Sequence, residues 1–225
     1  MTRPLALVTG GMRRLGAVIA AQLADAGYDL ALTSHGDGTP DAELATALER
    51  NAANWTHFPA DLSAEGASES LMSEVLAHFS RAPDLLVNNA AINPPTRTIL
   101  DDTLEEWRRT IAINLEAVYM GSKLVAPHMV RQGAGRIIHI ASIQGFASSG
   151  DCGAYNAAKG GIIAYTKSMA VELGRHNILV NAVAPGFMVT PMSLVNGVDE
   201  TTTPDFIEWY VTRRKIPLGR SGLPE

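Results

Sequence analysis

A chain of 225 residues with 46% hydrophobic and 18% charged side chains can bury a sizeable core, which excludes global disorder. Its formal net charge of −5 argues against a nucleic-acid-binding surface, whose footprint is basic, and no apolar run of ~18 residues offers a membrane span. The amino terminus runs straight into a strand without a signal-peptide cleavage pattern, and the single cysteine, Cys152, can close no disulfide within the chain; both point to a reducing, cytoplasmic setting.

Short apolar runs then alternate with longer stretches of helical periodicity. Leu5 to Gly10 (LALVTG) predicts a buried strand, and LGAVIAAQLADAG a helix that stops at Gly27. Tyr28 to Thr33 is a second strand, followed by a helix for which Asp41 is the candidate N-cap. Trp55 to Asp61 is a third strand, ASESLMSEVLAHF a third helix, and Pro83 to Ala90 a fourth strand. A proline-bearing loop, INPPTRTILDD, leads into a long helical stretch from about Leu104 to Val130. Gly135 to Ser142 is a fifth strand, Gly153 to Gly174 another long helix, and Asn177 to Gly186 a sixth strand. Apolar strands separated by helices imply parallel pairing with both sheet faces covered. The expected fold is α/β: a doubly wound, Rossmann-like parallel sheet with helices on both faces and right-handed crossovers. With no repeat, low-complexity tract or linker, residues 1–225 read as one domain.

The turn after the first strand reads T-G-x-x-x-R-x-G, from Thr9 to Gly16. It lacks the G-x-G-x-x-G dinucleotide fingerprint but answers the same need, main-chain N–H groups brought close to a pyrophosphate at a helix N-terminus. Gly10 and Gly16 suit that close approach. At the end of the second strand, where an acid would bond a ribose 2′-hydroxyl, the sequence has Thr33, Ser34 and His35, and Asp37 comes only beyond a glycine. A 2′-phosphate wants cations and hydroxyl donors instead. Arg13 and Arg14 therefore read as a clamp for that phosphate, with Ser34 and His35 as donors. NADP(H) is favoured and NAD(H) stays open; the alternative is that one or both arginines are solvated surface charges.

Ser142 closes the fifth strand, 12 residues intervene, and Tyr155 and Lys159 follow on one face of a helix at i, i+4 spacing. These types suit hydride transfer to a carbonyl. The nascent alkoxide needs a proton, a tyrosine of pKa about 10 can supply it, and a nearby ammonium favours the phenolate. Ser142 can hydrogen-bond the carbonyl oxygen. Asn114, in AINLEAVY, could hold a water that relays protons from Lys159. Cys152 has no evident base beside it, and His57, His128 and His139 lack metal-ligand spacing, so no metal is assigned.

Taken together, TGGMRRLG, DLS (Asp61 to Ser63), NNAA (Asn88 to Ala91), Ile113-Asn114, Ser142, YNAAK and APGFMVT resemble the short-chain dehydrogenase/reductase family, and within it the 3-oxoacyl-carrier-protein reductases. The resemblance covers the chain from Leu5 to Glu225. It implies that Asp61 contacts the adenine, that Leu15, Leu62, Asn88 and Ala90 belong to the cofactor site, and that Pro185, Gly186 and Thr190 surround the nicotinamide carboxamide. It implies Tyr155 as the acid/base, with Lys159 also on the nicotinamide ribose. Three positions depart from the family: Arg14 stands where glycine is usual, Ala91 replaces the last glycine of NNAG, and the sequence stops where a further helix and strand normally follow. The last departure reads as a truncated chain or an omitted tail, and bears on the implied homo-oligomer, a tetramer or dimer.

The resemblance places the substrate region at about 187–215. There Phe187, Met188, Met192, Leu194, Phe206 and Trp209 suggest either an apolar wall or plain packing, and Gln144 and Asn93 could add polar contacts. The expected activity is reversible hydride transfer between NADP(H) and a small carbonyl or secondary alcohol, an acyl-thioester among the candidates. Sugar or polyol dehydrogenase, pteridine reductase and a non-catalytic nucleotide sensor are the alternatives. Neither a nucleic acid nor a membrane is expected as a partner.

Overall fold

Strand β1 (Leu5–Thr9) is buried at every residue, and its side chains alternate between two cores. Ala6 and Val8 join one apolar cluster, while Leu5 and Leu7 join the other. That is the signature of a strand covered on both faces. Around it runs a six-stranded sheet in the order β3-β2-β1-β4-β5-β6, parallel throughout. The other strands are β2 (Asp29–Ser34), β3 (Trp55–Pro59), β4 (Leu85–Asn88), β5 (Gly135–Ile140) and β6 (Ile178–Val183). The structure is a computed structural model and describes residues 2–93, 97–148, 150–189, 193–195 and 198–224.

Helices α1 (Arg14–Asp25) and α2 (Ala42–Asn51) cover one face. A stripe of Ala17, Ala20, Ala21 and Ala24 lets α1 lie close to the sheet. Helices α3 (Ala67–Phe79), α5 (Ala117–Gln132) and α6 (Gly153–Gly174) cover the other face. The long helix expected from Leu104 is two helices, α4 (Leu104–Ile111) and α5, joined without a break by a π-helical turn, Ala112–Glu116. Such wide turns insert one residue into a helix and tend to mark functional sites. Asp41 holds the expected N-cap position of α2, but its side chain makes no capping bond; its Oδ2 accepts the Arg14 N–H at 2.7 Å instead.

The strand order reverses beside β1. The first crossovers carry the chain outward through β2 to β3, and it then returns to β4 on the other side of β1. Loops leaving the C-terminal ends of β1 and β4 therefore diverge and open a crevice there, the place where open α/β sheets bind ligands.

The chain divides into two compact units, Met1–Ala184 and Pro185–Glu225. The first holds the sheet. In the second, the rings of Phe187, Phe206 and Tyr210 pack with centroids 4.7 to 4.9 Å apart; the unit also holds a short helix α7 (Pro204–Phe206) and an antiparallel pair, β7 (Leu194–Val195) with β8 (Val198–Asp199). Phe187 and Phe206 thus serve as packing for this unit. No helix among the described residues is long and apolar enough to cross a membrane.

Candidate active site

The loop after β1 is shaped by two glycines. Gly10 has φ +63°, a left-handed conformation that costs glycine nothing. A Cβ on Gly16 would run into the carbonyl of Gly10 and the side chain of Asn89, so the first turn of α1 can sit against the loop only if residue 16 has no side chain. The Asp41 carboxylate takes the N–H of Arg14 at this end, but the turn itself carries no acid and no capping side chain, which leaves the N–H groups that follow and the positive end of the helix for an anion. The cradle and its donors fit a dinucleotide pyrophosphate.

Two residues that fix this loop escaped the sequence reading. The Thr9 hydroxyl accepts the main-chain N–H groups of Asn89 and Ala90, each at 3.0 Å. The Asn89 amide returns two hydrogen bonds, to the carbonyls of Thr9 at 2.9 Å and Gly10 at 3.1 Å. Together they tie the end of β4 to the glycine turn across the crevice. The doubled asparagine in NNAA was the signal, since strand alternation sends its members to opposite faces. Asn88, the member assigned to the cofactor channel, instead turns inward, with Nδ2 3.2 Å from Ser122 Oγ and 3.1 Å from His139 Nδ1. Leu15 and Leu62 also spend their side chains on the cores, one on each face.

The arginines divide their roles. Arg13 is exposed and pairs with Asp37 at 3.2 Å. Arg14 opens α1 at φ +59°, the left-handed region that suits the glycine its family usually has there. At the end of β2, the Ser34 hydroxyl lies 2.9 Å from His57 Nε2, and His35 lies 3.7 Å from Asp61. Hydrogen bonds from Ser63 hold the Asp61 carboxyl below its ordinary pKa. Asp37 and Asp61 therefore each face a basic side chain, while Asp41 faces the Arg14 N–H.

At the C-terminal end of β5, the Ser142 hydroxyl is close enough to Tyr155 to lower the pKa of its phenol. The Ser142 hydroxyl also accepts the Gln144 N–H at 3.2 Å. One helical turn on, Lys159 is only 2% exposed. Its Nζ donates to the Ile140 carbonyl at 2.7 Å and lies 5.5 Å from the centre of the Tyr155 ring. Burial lowers the Lys159 pKa to about 8. Burial also raises the Tyr155 phenol above its usual 10, against the nearby Ser142 hydroxyl, which lowers it. The lysine does stand beside the phenol, as the spacing predicts. In the chain by itself, burial is the largest influence and favours the protonated phenol.

Asn114 lies in the π-helical turn, fully buried. Its side chain accepts the Ile92 N–H at 2.8 Å and donates to the Ile92 carbonyl at 2.9 Å. It therefore pins the segment after β4, and no water relay through that side chain is needed to explain its burial. Ala90 sits at the crevice through its bond to Thr9. Pro185 and Gly186 begin the second unit, and Thr190 lies outside the described residues, as does Met192. Cys152 is buried at the start of α6.

A family model described as short chain dehydrogenase matches residues 4–200. The chain is 34% identical over 225 residues to a 3-oxoacyl-[acyl-carrier-protein] reductase of Synechocystis, covering 100% of this chain and 86% of that protein. It is 36% identical over 219 residues to a D-beta-hydroxybutyrate dehydrogenase of Rhizobium meliloti, covering 96% of this chain and 83% of that protein. Among solved structures, acetoin dehydrogenase from Salmonella typhimurium superposes with a TM-score of 0.82 at 31% identity, covering 99% of this chain and 85% of that one. With the Ser142, Tyr155 and Lys159 cluster at the C-terminal edge of a doubly wound sheet, this chain belongs to the short-chain dehydrogenase/reductase family of oxidoreductases, which use NAD(P)(H) and act on CH–OH groups.

Proposed function

We propose that the chain is an NADP(H)-dependent carbonyl reductase that also runs in reverse as a secondary alcohol dehydrogenase. The observation that carries this reading is the buried Lys159 ammonium 5.5 Å from the centre of the Tyr155 ring, with the Ser142 hydroxyl near the same phenol. A dinucleotide in the crevice supplies or takes the hydride. Ser142 offers its hydroxyl to the substrate oxygen and stabilises the charge that develops there. The Tyr155 Oη donates the proton that the oxygen takes as the C–H bond forms, and recovers it in the oxidative direction. Lys159, anchored on Ile140, holds a positive charge beside the phenol and stabilises it when deprotonated.

The preference for NADP(H) is supported by the exposed arginines of the loop and by the hydroxyl and imidazole at the end of β2. The Arg13–Asp37 pair is solvent-exposed on both sides, so it is weak and can open for a phosphate. Fluorescence titration with NADPH and NADH tests this. Tighter binding of NADPH supports the clamp, whereas a preference for NADH makes both arginines ordinary surface charges. Turnover is tested with Tyr155→Phe, expected to cut kcat by about 10²- to 10⁴-fold while cofactor binding persists. Near-normal turnover would sink the reading. Cofactor binding with no turnover on any carbonyl would favour the nucleotide sensor.

The named relatives suggest 3-oxoacyl thioesters and small hydroxy acids as first substrates. A second reading, a substrate with additional hydroxyls, is favoured by the surroundings of Gln144. Exposed Ile99, Leu100 and Leu104, leading into α4, support self-association, which light scattering would check. A lone cysteine supports a reducing, cytoplasmic setting.

A further inference from the structure

Directly after Ser142 the chain makes one short 3-10 turn, Ile143–Gly145, and its polarity is inverted. The apolar side chains face out, with Ile143 41% and Phe146 70% exposed. The polar one faces in: the Gln144 Oε1 is buried and has no hydrogen-bond partner among the described residues. Surface turns ordinarily do the reverse, and a buried amide oxygen left unpaired in a native fold calls for an explanation.

The turn cannot drift to find a partner. The Gln144 N–H is spent on the Ser142 hydroxyl. A side chain on Gly145 would meet the Lys159 carbonyl and Ile163, so the turn is seated directly on α6 at the catalytic lysine. The main chain that carries the open amide is thus fixed at the hydroxyl that receives the reacting oxygen.

We infer that Gln144 is a specificity-determining residue whose buried amide binds a hydroxyl on the carbon next to the reacting one, which makes the substrate an α-hydroxy ketone or vicinal diol. A hydroxyl both donates and accepts, so it pairs with the amide in either orientation. Ile143 and Phe146 add apolar surface that suits a short alkyl body. This inference rests on the carbonyl-reductase reading for its chemistry and on Gln144 alone for its selectivity.

The experiment compares NADPH-dependent reduction of acetoin and of butanone, which differ by that one hydroxyl, in the wild type and in Gln144→Leu. The wild type is expected to prefer acetoin by about 10- to 100-fold in kcat/KM. Gln144→Leu should lose that preference because kcat/KM falls more for acetoin than for butanone, and an unchanged circular-dichroism spectrum shows that the variant folds. Equal rates for both ketones in the wild type, or equal loss for both in the variant, overturn the inference. A second readout needs no turnover. The side-chain amide NMR signal that Gln144→Leu removes should shift when vicinal butanediol, but not sec-butanol, is added to the protein with NADP+. If neither ketone is reduced, the carbonyl-reductase reading is decided separately on 3-oxoacyl thioesters, and this titration decides the role of Gln144: a diol-selective shift upholds it and its absence overturns it.

Discussion

The Lys159 ammonium donates to the main-chain carbonyl of Ile140 at 2.7 Å, two residues before Ser142 on the same strand end. One hydrogen bond therefore joins the catalytic helix α6 to the strand β5 that presents the serine. It also anchors a cation where only 2% of the residue is exposed to water.

That anchorage has a cost that can be measured. Burial lowers the Lys159 pKa from 10.5 to about 8, so folding disfavours the charged form. Its contribution is most favourable above pH 10.5 and is lost as pH falls through 8. Near neutral pH the folded chain carries the penalty in full. Lys159→Met should therefore abolish turnover yet raise stability by about 1–3 kcal/mol, the lost bond to Ile140 offsetting part of the gain. Thermal unfolding at neutral pH checks this; a lower Tm would show that the bond outweighs the buried charge.

The phenol gives a second prediction. Because burial holds Tyr155 above pKa 10, the free chain should contain well under about one phenolate per thousand at pH 7. Ultraviolet difference titration of wild type against Tyr155→Phe should place the ionisation midpoint of this residue above 10. Oxidised dinucleotide should shift that titration downward, because its nicotinamide adds positive charge. Alcohol oxidation should then accelerate with rising pH and carbonyl reduction should not.

His139 should make the fold acid-sensitive. It is fully buried, and burial lowers its pKa from 6.5 to about 4. A depressed histidine favours the neutral form, so its stabilising share is complete above about pH 6.5 and is lost as pH falls through 4. The loss amounts to at most about 3 kcal/mol. Urea unfolding across that range should show the decline in the wild type and a flatter profile in His139→Asn.

Arg14 separates strain from binding. At φ +59° an arginine is strained where glycine is not, so Arg14→Gly should stabilise the chain by about 0.5–1 kcal/mol. If its guanidinium also holds the 2′-phosphate, the same change should weaken NADPH binding by about tenfold and leave NADH unaffected. Unfolding and fluorescence titration read the two effects separately.

Much of the site was legible because its signals are local. The i, i+4 spacing of Tyr155 and Lys159 fixes one helix face, and α6 runs over Gly153–Gly174, as its periodicity implies. The strand runs were legible because burial on both faces leaves unbroken apolar segments. NNAA signalled that one asparagine faces the crevice but not which, so the role of Asn89 could not be assigned from the sequence. Gln144 could be suspected as a polar contact, but not known to hold an unpaired buried atom.

The sequence by itself determined the alternation of strands and helices, the glycine turn that begins α1, and the order of serine, tyrosine and lysine. These follow from side-chain period and backbone freedom, which act over a few residues. Only the tertiary structure decided what each polar group does. Thr9 meets Ala90 across 81 positions of chain, and Lys159 meets Ile140 across 19. The strand register chooses which asparagine reaches the loop, and burial by distant segments sets the protonation of Tyr155, Lys159 and His139. Such neighbours are brought together by the parallel sheet and its crossovers, so no local pattern could announce them.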